Sequence, residues 1–244
     1  MQEKTFKRIA VIYAMDRERG YLENILTDVR VEKGTDQTFF KSFERGSLEG
    51  KAQVAMCQCG IGKINASITT FLMIQQFKPD IVINTGCAGG NVIKGIKPHN
   101  IVITSKAHFY DESDVGGESE FGKNLYYNCY PFAERIKKFS PTVSEKIKIG
   151  PTASGDRFIE TLKDVASISG DILSNDFPIA FDMEFSGVSR ICSAYSVPSL
   201  NTRIISDVPT GPDKDNHLKM YEDFWASKDN LYEKFLNELL HALI

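Results

Sequence analysis

Short apolar runs rich in β-branched residues recur along the chain at 8–13, 52–57, 80–84, 100–104, 147–150, 179–181 and 199–205. Several are apolar almost without interruption, the pattern of sheet strands covered on both faces. Helical spacing of apolar positions fills the intervals at 18–29, 63–77, 160–167, 184–195 and from about 215 to 243. In 63–77, Ile64, Ile68, Phe71, Leu72 and Ile74 fall on or beside one stripe, and Lys78-Pro79 ends the helix. Alternation of strand and helix predicts an α/β fold, a three-layer αβα sandwich around a mixed, mainly parallel central sheet. Residues 105–146 fit neither period. Their Gly116-Gly117 pair and the aromatic stretch at 126–132 predict a loop excursion before a helix, and insertions of that length are often functional.

A chain of 244 residues with 42% hydrophobic composition has the apolar content of one packed domain spanning 1–244, which excludes a disordered chain. With 29 Lys plus Arg against 32 Asp plus Glu and no basic block, it carries no electrostatic footprint for nucleic acid or an anionic membrane. The expected partners are small molecules or protein. The apolar runs are far shorter than the ~18 residues of a membrane span. The polar start, and the charged stop at Asp16-Arg17-Glu18-Arg19, argue against a cleaved signal peptide, so the expected compartment is the cytoplasm. Five cysteines, mostly inside apolar runs, fit reduced, buried thiols. Cys57-Gln58-Cys59 lacks the two-residue spacer of a zinc site, so no metal is expected.

In open parallel sheets ligands bind beyond the carboxyl ends of the strands, and five of the runs end in unusual chemistry. These ends are Ala14-Met15-Asp16-Arg17-Glu18, Cys59-Gly60-Ile61-Gly62-Lys63, Thr85-Gly86-Cys87-Ala88-Gly89-Gly90, Asp182-Met183-Glu184 and Arg203-Ile204-Ile205-Ser206-Asp207. Gly60-Ile61-Gly62-Lys63 has neither the three-glycine dinucleotide fingerprint nor the spacing of a phosphate-binding P-loop. It reads as a tight strand-to-helix turn or as a backbone surface for a ligand. The small residues of 85–90 allow a planar or anionic ligand to approach the backbone closely. Glu18 reads as a capping residue or as a catalytic acid, and Asp207 as a loop cap or a catalytic acid. Asp182 and Glu184 straddle Met183, and strand alternation would point both to one side. Each acid alone is more simply structural; four at strand ends point toward catalysis.

Together with Ser154-Gly155-Asp156-Arg157-Phe158-Ile159, these motifs resemble the 5′-methylthioadenosine/S-adenosylhomocysteine nucleosidases of the nucleoside phosphorylase superfamily. The resemblance runs from about Ile9 to the last helix. It implies a nucleoside phosphorylase-like fold and hydrolysis of the bond between adenine and a 5′-thio-substituted ribose, with no cofactor. Asp207 would protonate the imidazole nitrogen of the departing adenine, with Ser206 holding its carboxyl. Glu18 would orient and deprotonate the attacking water, with Arg203 nearby. Glu184 would grip the ribose hydroxyls and Met183 would pack under the sugar. Phe158 would stack on the purine while the backbone of Ile159 reads its edge. Ala14, Ile61, Cys87, Ala88, Gly89 and Asp182 complete the implied substrate-binding set. A homodimer is implied too, with 108–114 as the loop offered to the partner.

Some positions depart from the family. Cys87 stands where serine is common, and Asp182 where glutamate is common; both departures predict altered binding with the chemistry kept. Arg17 and Arg19 flank Glu18 where the family is more acidic. The 208–214 segment is longer and richer in proline, and an aromatic contact from the last helical region would fall to Met220 or Tyr221. Two other readings compete: a phosphorylase using phosphate as nucleophile, and a nucleoside-binding protein without catalysis. The first lacks the phosphate loop of bacterial purine nucleoside phosphorylases, and the second predicts loss of acids that are present.

Overall fold

The computed structural model describes residues 4–35, 40–111, 127–128, 130–171, 177–212, 214–227 and 229–244. In chain order these form β1 (Arg8–Tyr13), α1 (Asp16–Arg19), β2 (Thr27–Lys33), β3 (Ser42–Leu48), β4 (Ala52–Gln58), α2 (Lys63–Phe77), β5 (Ile81–Gly90) and β6 (Ile101–Phe109). There follow β7 (Tyr127–Asn128), α3 (Pro141–Ser144), β8 (Ile147–Ser154), α4 (Leu162–Asp171), β9 (Ala180–Asp182), α5 (Phe185–Ala194), β10 (Ser199–Asp207), α6 (Lys214–Ala226) and α7 (Leu231–Leu243).

The ten strands make one mixed sheet. Its longest ladders, β1 with β4, β5 with β10 and β6 with β8, are parallel. Antiparallel pairing occurs in the outer β2–β3–β4 meander, in the short β6–β7 pair, and where β6 joins β10 and β9 joins β5. Because β5 pairs with β10, β10 with β6, β6 with β8, β8 with β9 and β9 again with β5, five strands close on themselves. The sheet therefore ends in a small barrel, and closure removes the free edge on that side.

Strand alternation sorts the core into layers. Ile9 and Val11 of β1 pack with Ile81, Ile83 and the Phe235, Leu236, Leu239, Leu240 and Leu243 face of α7. Ala10 and Ile12 point the other way, against Ala66, Met73 and Phe77 of α2 and Phe185, Val188 and Cys192 of α5. Burying each such large apolar side chain contributes about 1.5–3 kcal/mol.

Four expectations need correction. The helix expected over 18–29 is one turn, α1, followed by irregular turns that bury Leu22 and Leu26 and then by β2. Pairing with β3 decides the state of 27–33, overriding a helical spacing that two apolar anchors produced. The final helical stretch is two helices, broken at 227–230. In α2, Ile64 and Phe71 of the expected stripe are exposed, and Ala66, Thr69, Thr70, Met73, Ile74 and Phe77 form the buried face. The excursion expected from 105 begins later, since β6 continues to Phe109. Cys57, Cys59, Cys87 and Cys192 are free thiols, whereas Cys129 lies outside the described residues.

Candidate active site

The carboxyl ends of β1, β4, β5 and β10 lie side by side, and the N-terminus of α5 and the 155–159 loop complete a cavity of about 140 Å³. α1 starts directly after β1 and turns Glu18 back over it. The Glu18 carboxylate, fully buried, accepts the N–H groups of Ala14 and Met15 on Oε2 and that of Cys87 on Oε1, each at 2.9 Å. Capping and site placement are thus one arrangement: the side chain that satisfies the start of α1 also faces the cavity. Gly86, at φ +151°, makes this possible. A Cβ there would lie 2.7 Å from Arg203 Nη1 and 2.8 Å from Glu18 Cδ, closer than real Cβ contacts.

Arg203, on β10 opposite Gly86, is fully buried. Its Nε donates to Asp182 Oδ2 at 3.0 Å, and its Nη2 to Glu184 Oε2 at 3.3 Å and to Asn84 Oδ1. Nη1 has no hydrogen-bond partner among the described residues. Burial works against this charge, yet Asp182, Glu184 and Glu18 together hold the guanidinium above its ordinary pKa. Of the expected site residues, Arg203 alone does not line the cavity; it lies behind the acids.

Asp182 lines the cavity, but its carboxylate is occupied. Oδ1 accepts from Ser154 Oγ and from the Glu184 and Phe185 N–H groups at 3.2 Å, and Oδ2 accepts from Arg203 and from Asn201 Nδ2 at 3.1 Å. It fixes Arg203 and the start of α5. Glu184 and Asp182 do converge on one guanidinium, as alternation implied, although Glu184 sits past the strand as the residue before α5. The Gly62 N–H donates to Glu184 Oε1 at 3.1 Å. Burial, opposed by Arg203 and reinforced by Asp182 and Glu18, raises the Glu184 pKa to about 7.

At the other end, the β5–β10 register shifts between Ile205 and Asp207, a bulge of the kind that re-aims a side chain beside a site. Buried Asp207 accepts from Ser206 Oγ at 2.5 Å, and Ser206 also reaches Ala88 O at 3.3 Å. Tyr232 of α7 ties this floor together: its hydroxyl donates to Thr202 O at 2.7 Å and lies 2.7 Å from Thr85 Oγ1.

Ala14, Ile61, Cys87, Ala88, Gly89, Phe158, Ile159, Met183 and Ser206 all line the cavity. Burial pushes the Cys87 thiol well above its usual pKa. Met15, Arg157 and Phe181 line the cavity too, beyond the set that the resemblance implies. Tyr110 lines it from the segment assigned to a partner's use, and Tyr221, not Met220, is the aromatic from α6. Met220 instead packs on Ala88, Ile96 and Val208. Helical phase over 214–226 carries that distinction once the helix start is known.

Closed barrel, parallel sheet and acids at the strand ends define a class that the family comparison identifies: the model for the phosphorylase superfamily matches residues 8–244, so the chain belongs to it. It is 33% identical over 213 residues to the 5′-methylthioadenosine/S-adenosylhomocysteine nucleosidase of Actinobacillus succinogenes, covering 84% of this chain and 87% of that one. Solved structures of similar shape include the nucleosidase of that name from Neisseria meningitidis in complex with methylthio-immucillin-A, with TM-score 0.81, 26% identity and 96% and 99% of the two chains covered. The enzyme from Colwellia psychrerythraea in complex with adenine aligns with TM-score 0.80 and 25% identity, covering 99% and 98%. Within the superfamily the chain belongs to this nucleosidase family, whose members are N-glycosidic hydrolases.

Proposed function

We propose that the protein hydrolyses the N-glycosidic bond of 5′-methylthioadenosine and S-adenosylhomocysteine, releasing adenine and the 5′-thioribose. The observation that carries this reading is Glu18: a carboxylate offers about four lone-pair sites, and three backbone N–H groups leave one for a water proton. Arg203, behind Gly86 and the acids, holds Asp182 and Glu184 in place beside that water. Asp207, steadied by Ser206, protonates the imidazole nitrogen of the leaving purine. Glu184 accepts from the ribose hydroxyls, with Met183 beneath the sugar. Phe158, half-exposed at the mouth, stacks on the base, and the Ile159 backbone reads its edge. Cleavage builds positive charge on the sugar and negative charge on the base, so an anion at the ribose and an acid at the purine both favour the transition state over the ground state.

A single domain carries all these groups. Exposed Ile64 and Phe71 on α2 and Tyr195 after α5 support a homodimer face, which sedimentation of the purified protein tests. Residues 112–114 of the loop assigned to the partner lie outside the described residues. Among the described residues no helix is long and apolar enough to cross a membrane, and free thiols support a cytoplasmic enzyme.

The deciding experiment incubates purified protein with methylthioadenosine and follows adenine and the sugar product with and without phosphate. Phosphate-independent release of adenine and methylthioribose is expected; a phosphate-dependent sugar 1-phosphate would transfer the reading to a phosphorylase. Glu18→Gln and Asp207→Asn should each retain the fold and lower adenine release at least ~100-fold, the usual contribution of one positioned proton-transfer group.

A further inference from the structure

The Gly60-Ile61-Gly62-Lys63 turn has a use that the chemistry above does not absorb. Lys63 is only 14% exposed in its side chain, and its ammonium pairs with Asp111 Oδ1 and lies 3.9 Å from Asp156 Oδ2. The three residues form a closed ring. Asp111 Oδ2 accepts the Asp156 N–H at 2.8 Å, Asp156 Oδ1 accepts the Lys63 N–H at 2.9 Å, and Lys63 Nζ returns to Asp111. Each member belongs to a different wall of the cavity: Lys63 follows Ile61, Asp111 follows Tyr110, and Asp156 precedes Arg157, Phe158 and Ile159. Tyr110 lies against Gly155, where a Cβ would be 2.5 Å from its ring, and its hydroxyl bonds to Gly155 O at 3.2 Å and to Arg157 O. The neighbouring Gly62 N–H holds Glu184. Two consecutive N–H groups at the start of α2 therefore fix the ribose carboxylate and the purine loop relative to one another. Gly62, at φ +104°, brings both into line, with Asp156 Oδ1 only 3.2 Å from the position of a Cβ.

We propose that Lys63 is a positioning residue: its ammonium, clasped between Asp111 and Asp156, sets the 155–159 loop over the purine before substrate arrives. This rests on the nucleosidase reading for its substrate, but its ligand, adenine, is tested separately. Without the ammonium two carboxylates face one another at the junction of three loops, and binding must then restore the order that the clasp supplied. Loss of order in a contact made equally in ground and transition states raises KM and spares kcat.

The test compares Lys63→Met, Lys63→Arg and Lys63→Met combined with Asp111→Asn, measuring kcat and KM for methylthioadenosine and Kd for adenine. Lys63→Met should raise KM and the adenine Kd about tenfold with kcat changed less than about threefold, Lys63→Arg should recover most of the loss, and the double variant should bind better than Lys63→Met alone because the facing charge is gone. A fall in kcat at unchanged KM, or a double variant no better than the single one, would overturn the proposal. If wild-type protein binds adenine but does not cleave methylthioadenosine, the nucleosidase reading fails while the adenine Kd series still decides the clasp.

Discussion

Alanine at Gly86 is a one-methyl perturbation aimed at Glu18, the carboxylate proposed to activate water. The added Cβ would stand 2.8 Å from Glu18 Cδ and 2.7 Å from Arg203 Nη1, inside the 3.0 Å that real Cβ contacts respect. Arg203 cannot withdraw, because Nε and Nη2 are held by Asp182, Glu184 and Asn84. Glu18 must therefore move, and its three bonds at 2.9 Å leave little room. A shift of about 0.7 Å takes such a bond past the range in which it holds. Each bond to a charged group contributes about 1.5–3 kcal/mol net. A side chain at φ +151° adds about 1–3 kcal/mol of strain. Losing one or two of the bonds and accepting the strain gives a destabilisation of about 2.5–9 kcal/mol, visible as a lower melting temperature. Displacing a reacting group by about 1 Å costs roughly 100-fold in turnover. Adenine affinity should change less than about threefold, since the proposed purine contacts are at Asp207 and Phe158. Adenine release, thermal melting and adenine titration on one preparation give all three numbers. A folded Gly86→Ala enzyme turning over within about threefold of wild type would refute the assignment of Glu18 and its close approach to Gly86.

Asp182→Ala removes one partner of a fully buried ion pair and should destabilise the protein by about 3–5 kcal/mol, measured by denaturant unfolding; a loss under about 1 kcal/mol would contradict its structural role. Glu184, whose pKa is raised to about 7 in the free enzyme, should lose a proton when ribose hydroxyls donate to it, because they stabilise the carboxylate. Calorimetry at pH 6 in two buffers of different ionisation enthalpy should therefore record proton release on binding a methylthioadenosine analogue, with weaker affinity as pH falls below 7; proton uptake would reverse the argument. Phe158→Ala, at a half-exposed position, should leave the melting temperature unchanged and raise KM, with an equal KM ruling out purine stacking.

The sequence exposes what repeats and what ends a strand, and hides what is decided by pairing. β1, β4, β5 and β10 are legible because both faces are covered, so their residues run apolar until the loop chemistry starts. β2 is not legible: its side chains are largely exposed, and only backbone pairing with β3 defines it. Barrel closure through β9 is equally silent, since two paired residues join it to β5. Glu18, Glu184 and Asp207 stand out as acids at strand ends. Asp182 stands out for the same reason, and nothing local reveals that its oxygens are taken by Ser154, Asn201, Arg203 and two N–H groups from three segments of chain. Arg203 stands out as a charge within the 199–205 run, and only the fold shows Gly86 and the acids lying between it and the cavity.

The balance of charge at this point connects the fold to the reaction. One guanidinium faces Asp182 and Glu184 directly and feels Glu18 as well, all sealed from solvent. Burial raises the Glu184 pKa to about 7 despite the ion pair with Arg203, and the negative charge of Asp182 adds to that rise. In the reaction proposed above, a ribose whose ring gains positive charge as the glycosidic bond lengthens would bring to Glu184 a compensating charge that the neutral substrate does not. The transition state would then relieve a carboxylate held at a disadvantage in the ground state, a differential interaction of the kind that raises kcat and not merely affinity. Asp182 acts on the same group twice, since its charge beside Glu184 raises that pKa further and its hold on Nε fixes the guanidinium between the two acids.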